Sequence, residues 1–102
     1  MIDQRIYDGA INDIVRDDSL YHGLKDDEAQ VLIAFAKNHL SSQIFKANSD
    51  ANARIVAINE VMRLRAVFRL IVEKLGTWQT WDRLDVLRAL VGLVVEVWGS
   101  EG

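Results

Sequence analysis

Residues 50–75 read DANARIVAINEVMRLRAVFRLIVEKL and carry the most regular apolar pattern in the chain. Apolar side chains recur there at steps of four, three, four, three and four residues, which places them on one face of an α-helix: Ala57, Val61, Leu64, Phe68, Ile71 and Leu75. Ser49 and Asp50 are good N-cap residues for this helix, and Gly76 is a natural residue to end it. The pattern therefore predicts a helix over residues 50–75 with a heptad-like seam.

Two further helices are predicted before this one, over residues 2–16 and 26–47. The second begins with three acidic residues, which favour a helix N-terminus, and its apolar residues follow helical spacing: Ala29, Ile33, Ala36, Leu40 and Ile44. No glycine or proline separates it from residues 50–75, so one continuous helix is the alternative to a break near Asn48.

A fourth helix is predicted over residues 80–98, with Thr80 as its N-cap. Apolar residues cover about 240° of its circumference, whereas burial against one side of a bundle needs only about 100°. A second copy of the chain is the simplest surface to cover the remainder. We expect that contact to involve small and apolar residues of this helix: Ala89, Leu90, Gly92, Leu93, Val94 and Val97.

These four helices predict an all-α, four-helix bundle-like fold in a single domain, residues 1–102, completed by self-association. The chain is 50% hydrophobic and 26% charged with a net charge of −3, which excludes the disordered and fibrous classes. Because it has no cysteine, disulfides, thiolate metal sites and thiol nucleophiles are excluded as well. The N-terminal residues lack a signal-peptide pattern and no apolar run is long enough to span a bilayer, so a cytoplasmic, non-membrane protein is expected.

Three arginines of the third helix, Arg54, Arg65 and Arg69, fall within about 60° of one another and form a basic stripe. Such a stripe can bind phosphates, so a nucleic-acid-associated protein is the second hypothesis for this chain. The alternative leaves the stripe in solvent, with Arg69 paired to Glu73, or docks it on acidic residues of the N-terminal segment: Asp8, Asp13, Asp17 and Asp18. The net charge of −3 argues against nucleic acid as the partner.

Residue patterns typical of catalysis or metal binding are sparse. The two histidines, His22 and His39, lack the spacing that places two ligands on one helix face, and no phosphate-binding glycine loop or nucleophile elbow is present. We expect His39 to pack at the edge of the second helix's apolar face and His22 to be solvated in a linker. No catalytic residue, metal ion or cofactor is predicted, and a small helical enzyme or ligand binder is the third hypothesis.

Aromatic residues are candidates for a pocket, although core packing at the corner between the third and fourth helices is the favoured interpretation: Phe45, Phe68, Trp78, Trp81 and Trp98. The leading hypothesis for function is a small helical homo-oligomeric interaction or assembly module. Its expected partner is itself, as a homodimer or higher oligomer, with another protein as a further candidate.

Overall fold

The part of the chain that the structure describes forms four α-helices. A computed structural model describes residues 1–78 and 81–101, with side chains for residues 1–78 and 81–99. The helices are α1 (Gln4–Val15), α2 (Asp26–Ile44), α3 (Asp50–Leu75) and α4 (Arg83–Glu101), and short 3₁₀ turns follow α1 and α3 at Asp18–Leu20 and Gly76–Trp78. The described residues contain no β-strand, so the predicted all-α fold class is confirmed.

Polar side chains cap the helix starts. The Asp3 carboxylate accepts a hydrogen bond from the N–H of Arg5 before α1, and the Ser49 hydroxyl accepts one from the N–H of Asn52 before α3. These caps satisfy backbone N–H groups that have no partner within the helix itself. Local sequence therefore accounts for where both helices begin.

α3 covers the predicted residues 50–75, and the predicted break before it is present because residues 45–49 form turns and bends. Gly76 follows α3 in a right-handed conformation, with a φ of −57°, so the helix leads into a 3₁₀ turn rather than a left-handed glycine cap. The other predicted helix ends differ by a few residues: α1 and α2 are shorter than predicted, and α4 runs from Arg83 to Glu101. Thr80, the predicted cap of the fourth helix, lies outside the described residues.

α2 and α3 form a central pair, and α1 and α4 each pack against both of its members. Arg65 of α3 donates to the Asp13 carbonyl of α1, whereas Arg63 of α3 lies over the Trp98 ring of α4. Side chains two residues apart on a helix point about 160° apart, so α1 and α4 flank the pair on opposite sides. The molecule is elongated, with extents of 47 × 25 × 19 Å.

The core lies between these helices, and α3 contributes its whole predicted seam. All six seam residues are buried, and Phe68 is the largest fully buried side chain of the described residues. On α2 the buried stripe lies slightly to one side of the prediction, because Leu32 is fully buried while Ala29 and Ile33 are half-buried. The packing is that of a helical bundle with its apolar stripes turned inward.

None of the described helices carries an apolar run that would let it cross a bilayer.

Candidate interaction surfaces

The largest exposed apolar feature of α4 is its outward face, which we define as Leu84, Arg88, Val91, Gly92 and Val95. Leu84, Val91 and Val95 are 54%, 53% and 64% exposed. Their spacing of seven and four residues places all three on one stripe, which points away from α2 and α3. The bundle therefore covers only part of the apolar arc of α4, as the sequence pattern predicts.

The residues predicted to meet a second chain are mostly on the other side of α4. Leu90, Leu93 and Val94 are buried in the core at 0%, 6% and 2% exposure, so they are not available to a partner in this structure. Ala89 and Val97 are half-buried, and of the six predicted residues only Gly92 is exposed. Self-association through the six residues stays a prediction. The structure places these three in the core because apolar residues line both sides of α4, and its sequence does not reveal which side faces the bundle.

Gly92 has no packing role among the residues that the structure describes. A Cβ added at this position meets nothing within 4 Å. A glycine inside a helix is less favourable than alanine by about 1 kcal/mol, and here no contact of the chain requires it. It leaves a flat, accessible spot in the outward face of α4.

A second apolar surface lies on the opposite flank, between α1 and α3. This α1–α3 groove has a volume of about 650 Å³ and is lined by both helices from Asp3 to Asp13 and from Arg54 to Arg65. Ile58 and Met62 form its outer wall and are 63% and 64% exposed. Small side chains and a glycine make its floor shallow: Gly9, Ala10 and Ala57. The groove thus combines an apolar centre with charged ends.

The basic stripe is only partly free. Nη2 of Arg65 donates to the Asp13 carbonyl oxygen at 3.2 Å, and its Nε lies 3.2 Å from Oδ2 of Asp17 without the alignment of a hydrogen bond. A hydrogen bond from Ser19, together with the nearby Arg65 guanidinium, lowers the pKa of the Asp17 carboxyl. Arg65 therefore binds to the acidic N-terminal segment, as predicted by the alternative in which the stripe docks on that segment.

The other two arginines of the stripe are exposed. Neither Arg54 nor Arg69 forms a salt bridge among the described residues, and the pair predicted between Arg69 and Glu73 is not formed. Two separated arginines remain for an external anion, which is fewer than the three-residue stripe on which nucleic-acid binding was predicted. That binding stays a prediction, with less support than before.

Arg83 makes a clamp between α4 and the start of α2. Its Nη1 donates to Oε2 of the buried Glu28 at 3.0 Å, and its Nη2 donates to Oδ1 of Asp27. The other oxygen of Glu28 accepts from the N–H of Lys25 at 2.9 Å, which caps α2. Arg83 lowers the pKa of the Asp27 carboxyl, and the two carboxylates raise the pKa of Arg83.

A second cavity of about 410 Å³ lies beside this clamp and is lined by His22, which is exposed as predicted.

A polar and aromatic cluster joins α2, α3 and α4. Nε2 of His39 lies 2.8 Å from Oε2 of Glu60, with both side chains less than one-fifth exposed. The His39 ring meets the Trp98 ring edge-on at 4.3 Å between centroids, and the Arg63 guanidinium covers Trp98 at 3.9 Å. His39 thus packs at the edge of the core, as predicted. Its partner Glu60 was not predicted, since the two residues lie on different helices.

The five aromatic residues do not form one corner. Trp78 and Trp81 stack at 5.1 Å between centroids at the corner between α3 and α4, but Trp81 is 47% exposed and lies outside the core, unlike the predicted core packing. Trp98 belongs instead to the His39 cluster, and Phe45 contacts Tyr7 at 5.8 Å between centroids. Trp98 is far from Trp78 and Trp81 because it lies about 22 Å along α4 from the first turn of that helix. Among the described residues, no group of three or more histidine or acidic side chains is placed to hold a metal ion.

Comparison of the chain with known protein families, with curated proteins and with solved structures finds no match.

Proposed function

We propose that this chain is a helical interaction module that assembles with copies of itself through the outward face of α4. The observation that carries the proposal is the exposure of Leu84, Val91 and Val95, each more than half exposed on one stripe of the helix. Monomeric proteins rarely leave contiguous apolar surface uncovered unless a partner binds there. Trp81, which is 47% exposed, adds aromatic surface immediately before α4.

The free energy gained by burying the outward face of α4 is small, which limits the kind of surface that can bind it. Covering the exposed half of a leucine or valine contributes about 1 kcal/mol, or about 3 kcal/mol for the three side chains. Association removes translational and rotational freedom worth about 4 to 15 kcal/mol, which this contribution alone does not offset. The counter-surface therefore has to be apolar and has to complement the charges that border the face.

The proposal is tested with the substitution Val91→Glu, measured by sedimentation velocity across about 1 to 100 µM protein. Val91 is 53% exposed, so the substitution leaves the core of the chain unchanged. A carboxylate in the contact would lose its water without gaining a partner, and we expect the dissociation constant to rise at least about tenfold. Ala34→Glu is the matched control, because it adds the same charge at an exposed position of α2.

We expect the unmodified chain and Ala34→Glu to sediment above the monomer mass of 11.6 kDa and Val91→Glu to sediment at that mass. A monomeric unmodified chain at about 100 µM would contradict the proposal. Equal association of all three proteins would show that the outward face of α4 is not the contact.

A further inference from the structure

Two unlike charges lie at the exposed apolar stripe of α4. Arg88 lies on the stripe between Leu84 and Val91, and Asp85 lies beside it, about 60° around the helix from Arg88. Both residues are exposed, and neither forms a salt bridge among the described residues. A guanidinium that is covered without a counter-charge loses its water uncompensated. Whatever covers this stripe therefore has to bring a carboxylate to Arg88.

We propose that the outward face of α4 pairs with the same face of a second copy, antiparallel about a two-fold axis, so that Arg88 of each chain meets Asp85 of the other. This inference rests on the proposed function and names the surface that α4 contacts. The face offers one cation and one carboxylate, so two copies supply two complementary pairs. The face is in this sense complementary to itself.

The direction of packing follows from the order of these two charges. In a parallel two-fold pair each residue lies level with its own copy, so Arg88 would be closest to Arg88 and Asp85 to Asp85. Like charges placed side by side are unfavourable. An antiparallel pair instead brings residues on one side of the axis opposite residues on the other side. Of the two arrangements, the antiparallel one places unlike charges together.

The register follows from the same pair. Arg88 of one chain lies level with Asp85 of the other when the axis crosses α4 midway between these two residues. The exposed apolar residues run from Trp81 to Val95 and centre on residue 88, so this register lies about 2 Å of helix from their centre. The register that pairs the charges therefore also keeps most of the apolar stripe in the contact.

Two other carboxylates lie near the stripe, but neither fits Arg88 as well. Glu96 already has an interaction within its own chain. Asp82 precedes α4 and lies about 120° around the helix from Arg88. Asp85 is therefore the carboxylate that one face offers to the other.

This register also gives Gly92 a neighbour. Residue 92 of one chain lies level with residue 81 of the other, and Trp81 is 47% exposed where it stacks on Trp78. A Cβ added at Gly92 meets nothing within 4 Å, so the helix surface there is open to a large ring. Tryptophan is enriched among the residues that dominate protein interfaces. The pairing thus covers the exposed aromatic surface next to α4 as well as its apolar stripe.

Charge reversal tests the pairing. Arg88→Asp leaves a face with two carboxylates, and Asp85→Arg leaves a face with two guanidinium groups. Each variant alone brings like charges together, and we expect its dissociation constant in sedimentation velocity to rise at least about tenfold. An equimolar mixture of the two variants restores both unlike pairs, and we expect it to form a dimer of one chain of each kind. Lys37→Asp is the matched control, because it reverses a charge at an exposed position of α2 and should associate like the unmodified chain.

The outcomes separate this inference from the proposed function. Single variants that associate like the unmodified chain, or a mixture that associates no more tightly than its components, overturn the Arg88–Asp85 pairing, whereas Val91→Glu tests α4 as the contact independently. A complex of more than two chains overturns the closed two-fold pair. A monomeric unmodified chain overturns both proposals. Circular dichroism of each variant checks folding, and Arg88→Glu or Asp85→Lys replaces a variant that does not fold.

Discussion

At the scale of single residues, Tyr21 shows how one side chain joins two elements. Its hydroxyl donates to the Ile14 carbonyl oxygen at 2.7 Å and so ties the 3₁₀ turn to the end of α1. Burial, assisted by the negative charge of Asp17, raises the pKa of Tyr21 to about 12. The folded chain therefore holds the neutral phenol more tightly than the unfolded chain does.

The sign of this shift predicts a loss of stability in alkali. A phenol has a pKa of about 10 in the unfolded chain, so the contribution of Tyr21 is complete below that pH and disappears as the pH rises towards 12. Tyr21→Phe removes the hydrogen bond and should lower the free energy of unfolding by about 1 kcal/mol at neutral pH. The variant should also lose less stability than the unmodified chain above pH 10.

Urea unfolding at neutral and alkaline pH measures both effects. Tyr7→Phe is the control, because the Tyr7 hydroxyl donates no hydrogen bond among the described residues. Since Tyr21→Phe and the unmodified chain differ only at residue 21, the difference between their pH profiles isolates the tyrosine. Parallel pH profiles for Tyr21→Phe and the unmodified chain would show that the Tyr21 phenol is not coupled to folding.

At the scale of elements, α4 combines a buried apolar side with an exposed one that carries Gly92. α4 buries Leu90 and leaves Val91 and Val95 in solvent. α3 buries its seam and leaves Ile58 and Met62 exposed on its other side. Helical packing against one pair of neighbours can cover only one side. The exposed side of α4 is therefore the surface that the proposed assembly would use.

Gly92→Ala separates the stability of α4 from its assembly. An added methyl group meets nothing within its own chain, so alanine should stabilise the fold by about 0.5 to 1 kcal/mol, measured by urea unfolding in the monomeric Val91→Glu background. In the otherwise unmodified chain the same methyl group enters the proposed contact, and association should weaken. Gly9→Ala on α1 is the matched control for the helix gain. A destabilised Gly92→Ala fold would show that the chain itself requires this glycine.

At the scale of the whole molecule, the helices share one core centred on α3. Phe68 is fully buried in it, whereas Phe45 is 40% exposed at the end of α2. Phe68→Ala leaves a cavity and should lower the free energy of unfolding by about 3 to 5 kcal/mol, a large part of the total for a chain of this size. Phe45→Ala should lower it by less than half as much.

Thermal unfolding followed by both circular dichroism and tryptophan fluorescence checks this prediction. Because the aromatic probes lie in different parts of the molecule, the two signals should change together in one transition if the core is shared. Equal losses for Phe68→Ala and Phe45→Ala, or two separate transitions, would contradict a single core.

The sequence alone determined the helices of this protein, because helix formation depends on near neighbours. Apolar residues three and four apart define α3 over residues 50–75, and capping residues such as Ser49 act within one turn. The excess of apolar residues on α4 was also visible, since it is a property of one segment. Fold class and the existence of an uncovered face were therefore predictable.

Only the tertiary structure decided which side of each helix faces inward and which distant charges meet. Arg83 reaches Glu28 across 55 residues, and Arg65 reaches the Asp13 carbonyl across 52. These contacts depend on how each helix is rotated about its axis when it packs. For α4, with apolar residues on both sides, the sequence favours neither rotation, and packing against α2 and α3 selects the one that buries Leu90 and exposes Val91.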